Sequence, residues 1–424
     1  MRKRALILGL FLLPLLVGQP AFGAAQILVF NLDAGTGLGL DDPTPVAPVG
    51  LNPGTTLGEQ RLNVFIRAAD IWGGLLNSNV PTVVLATFTP LNCGPGFATL
   101  GSAGAITVHR DFTGAVFPLT WYHAALANSL AGVDLNGPDT AEIFAQFNRS
   151  IDNNPNCLTG INWYYGLDAN PPGGDIDFLT VILHEMGHGL GFSSFVNEVN
   201  GQLLAGFHDV WNHFLFDLTQ GRLWVSMTAA QRAASAINTG NLVWSGANVT
   251  AQAGTLTAGV NHGFVQMYAP NPVRPGSSVS HWDIVVTPNE LMEPDFTNLT
   301  RDVGLAFELF QDIAWTMTPA GYTMFRPIPG VAGGNNLFAS SGGVPGATTF
   351  LIFGFAGGST AIPGCPGVFS GISAPQILAS GPTDANGNFN FTFNVGGGAA
   401  GATVLFEAVE LPSCLISNLV TETF

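Results

Sequence analysis

Apolar runs with helical spacing and runs rich in β-branched residues are mixed along the first three quarters of the chain, and short apolar runs separated by turns follow near its end. Leu62 to Leu76 carries apolar residues at helical spacing and predicts a helix. Val80 to Phe88 is rich in β-branched residues and predicts a strand, as does Ala105 to His109, while Thr140 to Asn148 fits either a strand or a helix. Asp175 to Leu190 predicts a further helix. Asp175 and Asp177 place negative charge at its positive end, and Gly189 and Gly191 offer a stop. His208 to Thr219 predicts another helix, followed by a polar insert to about Pro275. Thr300 to Trp315 predicts a helix with Val303, Leu305, Ala306, Leu309, Phe310 and Ile313 on one side.

The pattern changes across a boundary near Pro319 to Pro329. Phe350 to Phe353, Phe389 to Val395 and Thr403 to Val409 predict strands, with Asp384-Ala385-Asn386-Gly387 as a turn before one of them. These features predict a small all-β, sandwich-like domain of roughly 100 residues. It has no histidine, and no basic residue follows Arg326, so no chemistry is assigned to it. The charge-free stretch from Pro327 to Thr383 is broken every few residues by Gly, Pro, Ser or Thr, and reads as strands and turns rather than a membrane span.

Composition fixes the compartment. Residues 1–23 read as a signal peptide: Arg2, Lys3 and Arg4, an apolar run from Ala5 to Val17, then small residues around Gly23. The chain has 12 basic and 28 acidic residues; removing the leader leaves 9 basic against 28 acidic, a net −19. Such a chain repels phosphate backbones, which excludes nucleic acid as a partner. Four cysteines in an exported chain imply disulfides, and two separate halves favour Cys93–Cys157 and Cys365–Cys414. A rival role for Cys93, within Asn92-Cys93-Gly94-Pro95, is a thiolate that caps a metal. The protein is therefore expected to be secreted or extracellular.

The chemistry lies in Leu183-His184-Glu185-Met186-Gly187-His188-Gly189-Leu190-Gly191-Phe192. A spacing of four places both imidazoles on one helical face, where they can share one zinc ion at about 2.0–2.1 Å. Glu185 then projects beside the metal, placed to take a proton from water and pass it to a leaving amine. A catalytic zinc needs a third protein ligand and an open position. The compact extended motif would put that ligand at position 194, which is Ser194, a poor zinc ligand. His208, His213, His262 and His281 are the remaining choices downstream.

Ser280-His281-Trp282-Asp283, followed by Asn289-Glu290-Leu291-Met292-Glu293-Pro294, resembles the third-histidine and Met-turn region of the leishmanolysin family of metzincin metalloproteases. The resemblance covers roughly Gly174 to Trp315. It implies His281, 93 residues beyond His188, as the third zinc ligand, and Met292 in a tight turn beneath the metal. It further implies an α+β, metzincin-like catalytic domain over residues 24–322, with an insert at about 196–275, followed by the β-rich domain at 323–424. The expected activity is a secreted zinc endopeptidase acting on protein or peptide substrates, with one catalytic zinc. Two other classes stand beside it: a surface or binding protein with a degenerate zinc site, and a zinc hydrolase of a non-peptide bond.

Other residues have blander readings. Asp33, Asp41 and Asp42 match no specific calcium loop and read as turn residues. Tyr164 and Tyr165 could donate to an oxyanion, but nothing in the sequence fixes their position. His109 and His123 fall in the upstream part, where structural roles are expected.

Overall fold

The first apolar runs of the chain pair into one sheet. In the computed structural model, which describes residues 25–318, 322–326 and 330–424, β1 (Ile27–Asn31) lies parallel to β2 (Thr82–Thr89). β2 is parallel to β4 (Ile143–Asn148), and β3 (Gly101–Ala105) closes the sheet antiparallel to β4, giving the order β1-β2-β4-β3. Along β2, Thr82, Val84, Ala86 and Phe88 are buried and alternate with half-buried residues, as a sheet covered on one face requires. Of the segment Thr140 to Asn148, Ile143–Asn148 thus resolves as a strand. The expected signal segment lies outside the described residues, as does part of the expected boundary, residues 319–321 and 327–329.

Helices cover one face of the sheet. α1 (Leu57–Leu75) starts earlier than its apolar spacing predicts, because Thr56 and Glu59 form a capping box. Val64, Phe65, Ala68 and Trp72 of α1 join Val84, Phe88, Ala145 and Phe147 of the sheet in one core. α2 (Ala124–Ala131) ends at left-handed Gly132. α3 (Phe178–Leu190) brings Phe178, Ile182 and Met186 into the same core, and Trp72 Nε1 donates to Leu183 O at 3.0 Å. Asp177 caps α3 by accepting from Thr180 N at 3.0 Å, whereas Asp175 lies before the helix and accepts from Asn162 N. Gly191, at φ 139, ends α3 in a conformation that glycine tolerates best.

Four expectations need correction. The strand expected over Ala105 to His109 is broken, Ala105 ending Gly101–Ala105 and Val108–His109 forming a separate strand. His208 to Thr219 is not a helix: His208–Asp209 and Leu215–Asp217 are strands flanking one 3₁₀ turn, Val210–His213. Asp209 caps that single turn, and the alternation of buried and half-buried residues from Leu215 to Asp217 has a period of two. The insert is not merely polar. It holds a five-stranded antiparallel sheet, α4 (Ala229–Ser235), α5 (Ala247–Gln252) and buried Trp211, Trp224 and Trp244. The helix expected over Thr300 to Trp315 shortens to α6 (Ala306–Asp312), because left-handed Gly304 (φ 51) breaks it and Thr300 and Arg301 are bound to the start of α3.

Beyond residue 322 the described elements are antiparallel strands in separate sheets. One comprises Thr323–Phe325, Gly334–Ser341 and Phe389–Val395, and another is built on Thr348–Gly354 and Thr403–Leu411. Met324 and Phe338 from the first meet Leu351, Val404, Phe406 and Ala408 from the second in one core, a sandwich-like packing. This β body docks behind α1, where Arg326 pairs with fully buried Asp70. Mixed α/β structure is thus followed by an all-β part. No helix among the described residues is long and apolar enough to cross a membrane.

Candidate metal centre

One turn of α3 separates His184 from His188, and a distant segment brings His281 beside them. Their Nε2 atoms lie 3.1 Å (His184 to His188), 3.1 Å (His188 to His281) and 3.2 Å (His281 to His184) apart. Each Nδ1 faces a backbone carbonyl: Leu291 O for His184 at 2.8 Å, Phe192 O for His188 at 2.8 Å and Ser277 O for His281 at 2.7 Å. A carbonyl only accepts, so each Nδ1 carries the proton and each neutral ring turns a lone pair inward at Nε2. Three acceptors at this spacing cannot hydrogen-bond to one another. They repel unless a cation lies among them.

Electrostatics agree with that donor set. Burial lowers the pKa of His184, takes His188 down to about 3 and pushes His281 well below its ordinary value, so the rings stay neutral at pH 7. Tetrahedral zinc with bonds of about 2.0–2.1 Å separates its ligand nitrogens by about 3.3–3.4 Å, close to the observed triangle. Among the described residues, this is the one group of three or more His, Cys, Asp or Glu close enough to hold a metal ion. The three histidines can therefore bind a metal, with carbonyl partners that fix each ring in orientation and tautomer.

Glu185 follows His184 on α3 and is only 8% exposed. Burial raises its carboxyl to about 8, against a hydrogen bond from the Ala103 backbone of β3. Met292 is fully buried, and Trp282 N donates to its carbonyl at 3.0 Å, tying the residue after His281 to this turn. A Cβ on Gly187 would come within 2.8 Å of Met292 Sδ, so the glycine between Met186 and His188 lets the methionine reach the helix.

The centre opens into a cleft of about 1020 Å³. Gly101, Ser102 and Ala103 of the edge strand β3 line one side, with Phe97, Leu158 and Ile161 beyond them. Ser277, His281, Glu290 and Glu293 line another part of the wall. Burial lifts Glu290 and Glu293 each to about 7. Among the described residues none beyond Thr300 lines the cleft, so the described strands of the β body stay outside it.

The other residues singled out in the sequence lie elsewhere. His213 stacks on Phe117 and bonds Thr120 Oγ1, His262 is exposed beside Asn261, and neither they nor His208 join the cluster. His109 bonds Thr107 Oγ1, and fully buried His123 bonds Ser193 Oγ at 2.7 Å. Tyr164 OH and Tyr165 OH donate to Asp168 and Asp152, and neither tyrosine lines the cleft. Asp33 accepts from Leu40 N, Phe88 N and Thr87 Oγ1, Asp41 from Gly37 N and Asp42 from Thr44 N, the bonds of turn residues rather than of a calcium site. The disulfides are Cys93–Cys157 and Cys365–Cys414, so Cys93 has no thiolate with which to cap a metal. This pairing suits an oxidising, extracellular setting.

Sequence reasoning missed Gly187 and the three carbonyl acceptors. Gly187 left a signal, a glycine inside a strong helix; the carbonyls leave none, since every residue has one. A scan against protein-family models found no match, and searches of curated proteins and of solved structures found none either.

Proposed function

We propose that the chain is a secreted zinc-dependent endopeptidase with a leishmanolysin-like metzincin arrangement. His184, His188 and His281 hold the zinc, Glu185 is the general base, and Met292 forms the apolar floor of the site. On this reading residues 24–322 are the catalytic domain, with an insert at about 196–275, and residues 323–424 are an accessory β domain. The observation that carries it is the convergence of three Nε2 lone pairs next to a buried glutamate, in a cleft large enough for a peptide.

Zinc, when bound, supplies a Lewis acid that polarises a carbonyl and brings the pKa of water to about 7. Glu185 takes the proton of the attacking water and returns it to the leaving amine. Burial alone would keep Glu185 protonated at neutral pH, so its action as a base depends on a positive charge beside it. β3 is an edge strand along the cleft, and its main-chain groups can pair with an extended peptide. The Leu291, Phe192 and Ser277 carbonyls hold the histidine rings in place.

The test is metal analysis of the purified protein with a chelator-controlled casein assay. Glu185→Gln should retain one zinc per chain and lose about 10²–10⁴-fold in activity. Casein hydrolysis that survives either chelation or Glu185→Gln would refute this reading.

A further inference from the structure

Ser194 stands where the compact motif would place its third ligand, and here it bonds in three directions. Its hydroxyl donates to Asp209 Oδ2 at 3.0 Å and accepts from Val196 N at 3.1 Å. Its own N–H donates to Ser280 Oγ at 3.1 Å. Asp209, 1% exposed, also takes Phe195 N on Oδ2 and Asn212 N on Oδ1. Ser280 immediately precedes His281, and Phe192, two residues before Ser194, supplies the carbonyl for His188 Nδ1. A second stitch lies nearby, where Gly276 N donates to Glu198 Oε1 at 3.2 Å.

These bonds join segments far apart in the chain. The end of α3, the first strand of the insert and the residue before the third histidine all meet at Ser194. Bringing the ends of a long excursion together costs closure entropy that grows with the logarithm of its length. A tie at the base, made of buried and part-buried hydrogen bonds, holds the ends in register.

We infer that Ser194 is a positioning residue for the metal centre: by tying α3 to Asp209 and Ser280 it sets the aim of His188 and His281. The position that a ligand would occupy in the compact motif supports the ligands here. The inference rests on the preceding reading only in taking the three histidines as a metal site. Ser280 shares the role through its hydroxyl, and Asp209 through its carboxylate.

The test uses the full chain with zinc and cobalt(II) as probes. Zinc affinity is measured by competition with a chromogenic chelator, and ligand geometry by the visible absorption of the cobalt form. Ser194→Ala and Ser280→Ala should each weaken zinc binding about 10–100-fold, the usual effect of losing an outer support of a ligand, and should alter the cobalt spectrum. Ser194→Thr keeps the hydroxyl and should restore both. Should Ser194→Ala fail to fold, Ser280→Ala decides, because it leaves the Ser194–Asp209 bond intact. Wild-type zinc affinity and cobalt spectrum in a folded alanine variant would overturn the positioning role alone. A wild-type chain that takes up no zinc would overturn it together with the metallopeptidase reading.

Discussion

The start of α3 depends on one buried carboxylate, and removing its charge should loosen the helix that carries His184, Glu185 and His188. Asp177 is fully buried and accepts from Thr180 N and Thr180 Oγ1 as the helix cap. Its two oxygens also receive Arg301 Nε and Nη2, while Arg301 donates further to Leu167 O and Gly166 O. Asp177→Asn keeps a competent cap but leaves Arg301 with carbonyls alone. Breaking a buried pair from one side costs about 3–5 kcal/mol. The Arg301 side chain is 15% exposed, so water recovers part of that, and about 2–4 kcal/mol is expected. Asp177→Ala removes the cap as well and should cost about 1 kcal/mol more. Every tryptophan lies at or before Trp315, so urea unfolding followed by tryptophan fluorescence reads this body and not the β body. A loss below about 0.5 kcal/mol for Asp177→Asn, the size of an ordinary surface change, would refute the claim that the pair secures α3. Equal losses for the two variants would refute the cap.

Two further predictions concern the β body. Glu407 is buried and accepts from Ser370 Oγ and Gly371 N, and burial raises its carboxyl from 4.5 to about 7. A raised carboxyl pKa means that its contribution to stability is full below pH 4.5 and is lost as pH rises through 7, by on the order of 3 kcal/mol at most. Glu407→Gln should therefore flatten the stability profile between pH 5 and 8, read by urea unfolding in the far-ultraviolet; a wild-type-minus-variant difference independent of pH would count against it. Cys365 and Cys414 lie 49 residues apart, so chain entropy gives their disulfide up to about 4 kcal/mol. The Cys365→Ser/Cys414→Ser double variant should destabilise the β body while zinc uptake stays unchanged, and lost zinc would show that the β body supports the metal centre after all.

Periodicity located elements whose pattern comes from one buried face. β2 and α1 follow that rule, because each packs one side on the common core, whereas α3 is buried on every side and is marked in the sequence by its end signals instead. It failed where a few local bonds outweigh side-chain spacing. Thr56 and Glu59 started α1 early, and Asp209 limited a predicted helix to a single turn. Thr300 and Arg301 carry helical neighbours, yet their groups are committed to Thr180 and Asp177 across the molecule. The insert looked polar because its core is made of scattered tryptophans and of apolar residues on very short strands, such as Leu215, Leu242 and Val265, with no run long enough to register as a period.

The centre was legible to different depths for a physical reason. His184, Glu185 and His188 could be placed together from spacing alone, since helical geometry fixes which face they share. His281 could not, since no local rule links residues 93 positions apart; the likeness of its surroundings to a family pattern supplied that expectation. What actually brings it to the triangle are contacts that spacing does not encode: Trp282 N on Met292 O, Gly187 opening room for Met292, and Ser194 N on Ser280 Oγ. Each joins a residue of, or next to, a short motif to a partner chosen by the fold. The main-chain N–H of position 194 holds Ser280, the residue before the third ring, while its hydroxyl holds Asp209, so Ser280→Ala and Ser194→Ala probe the two ties separately without touching a ring of the triangle.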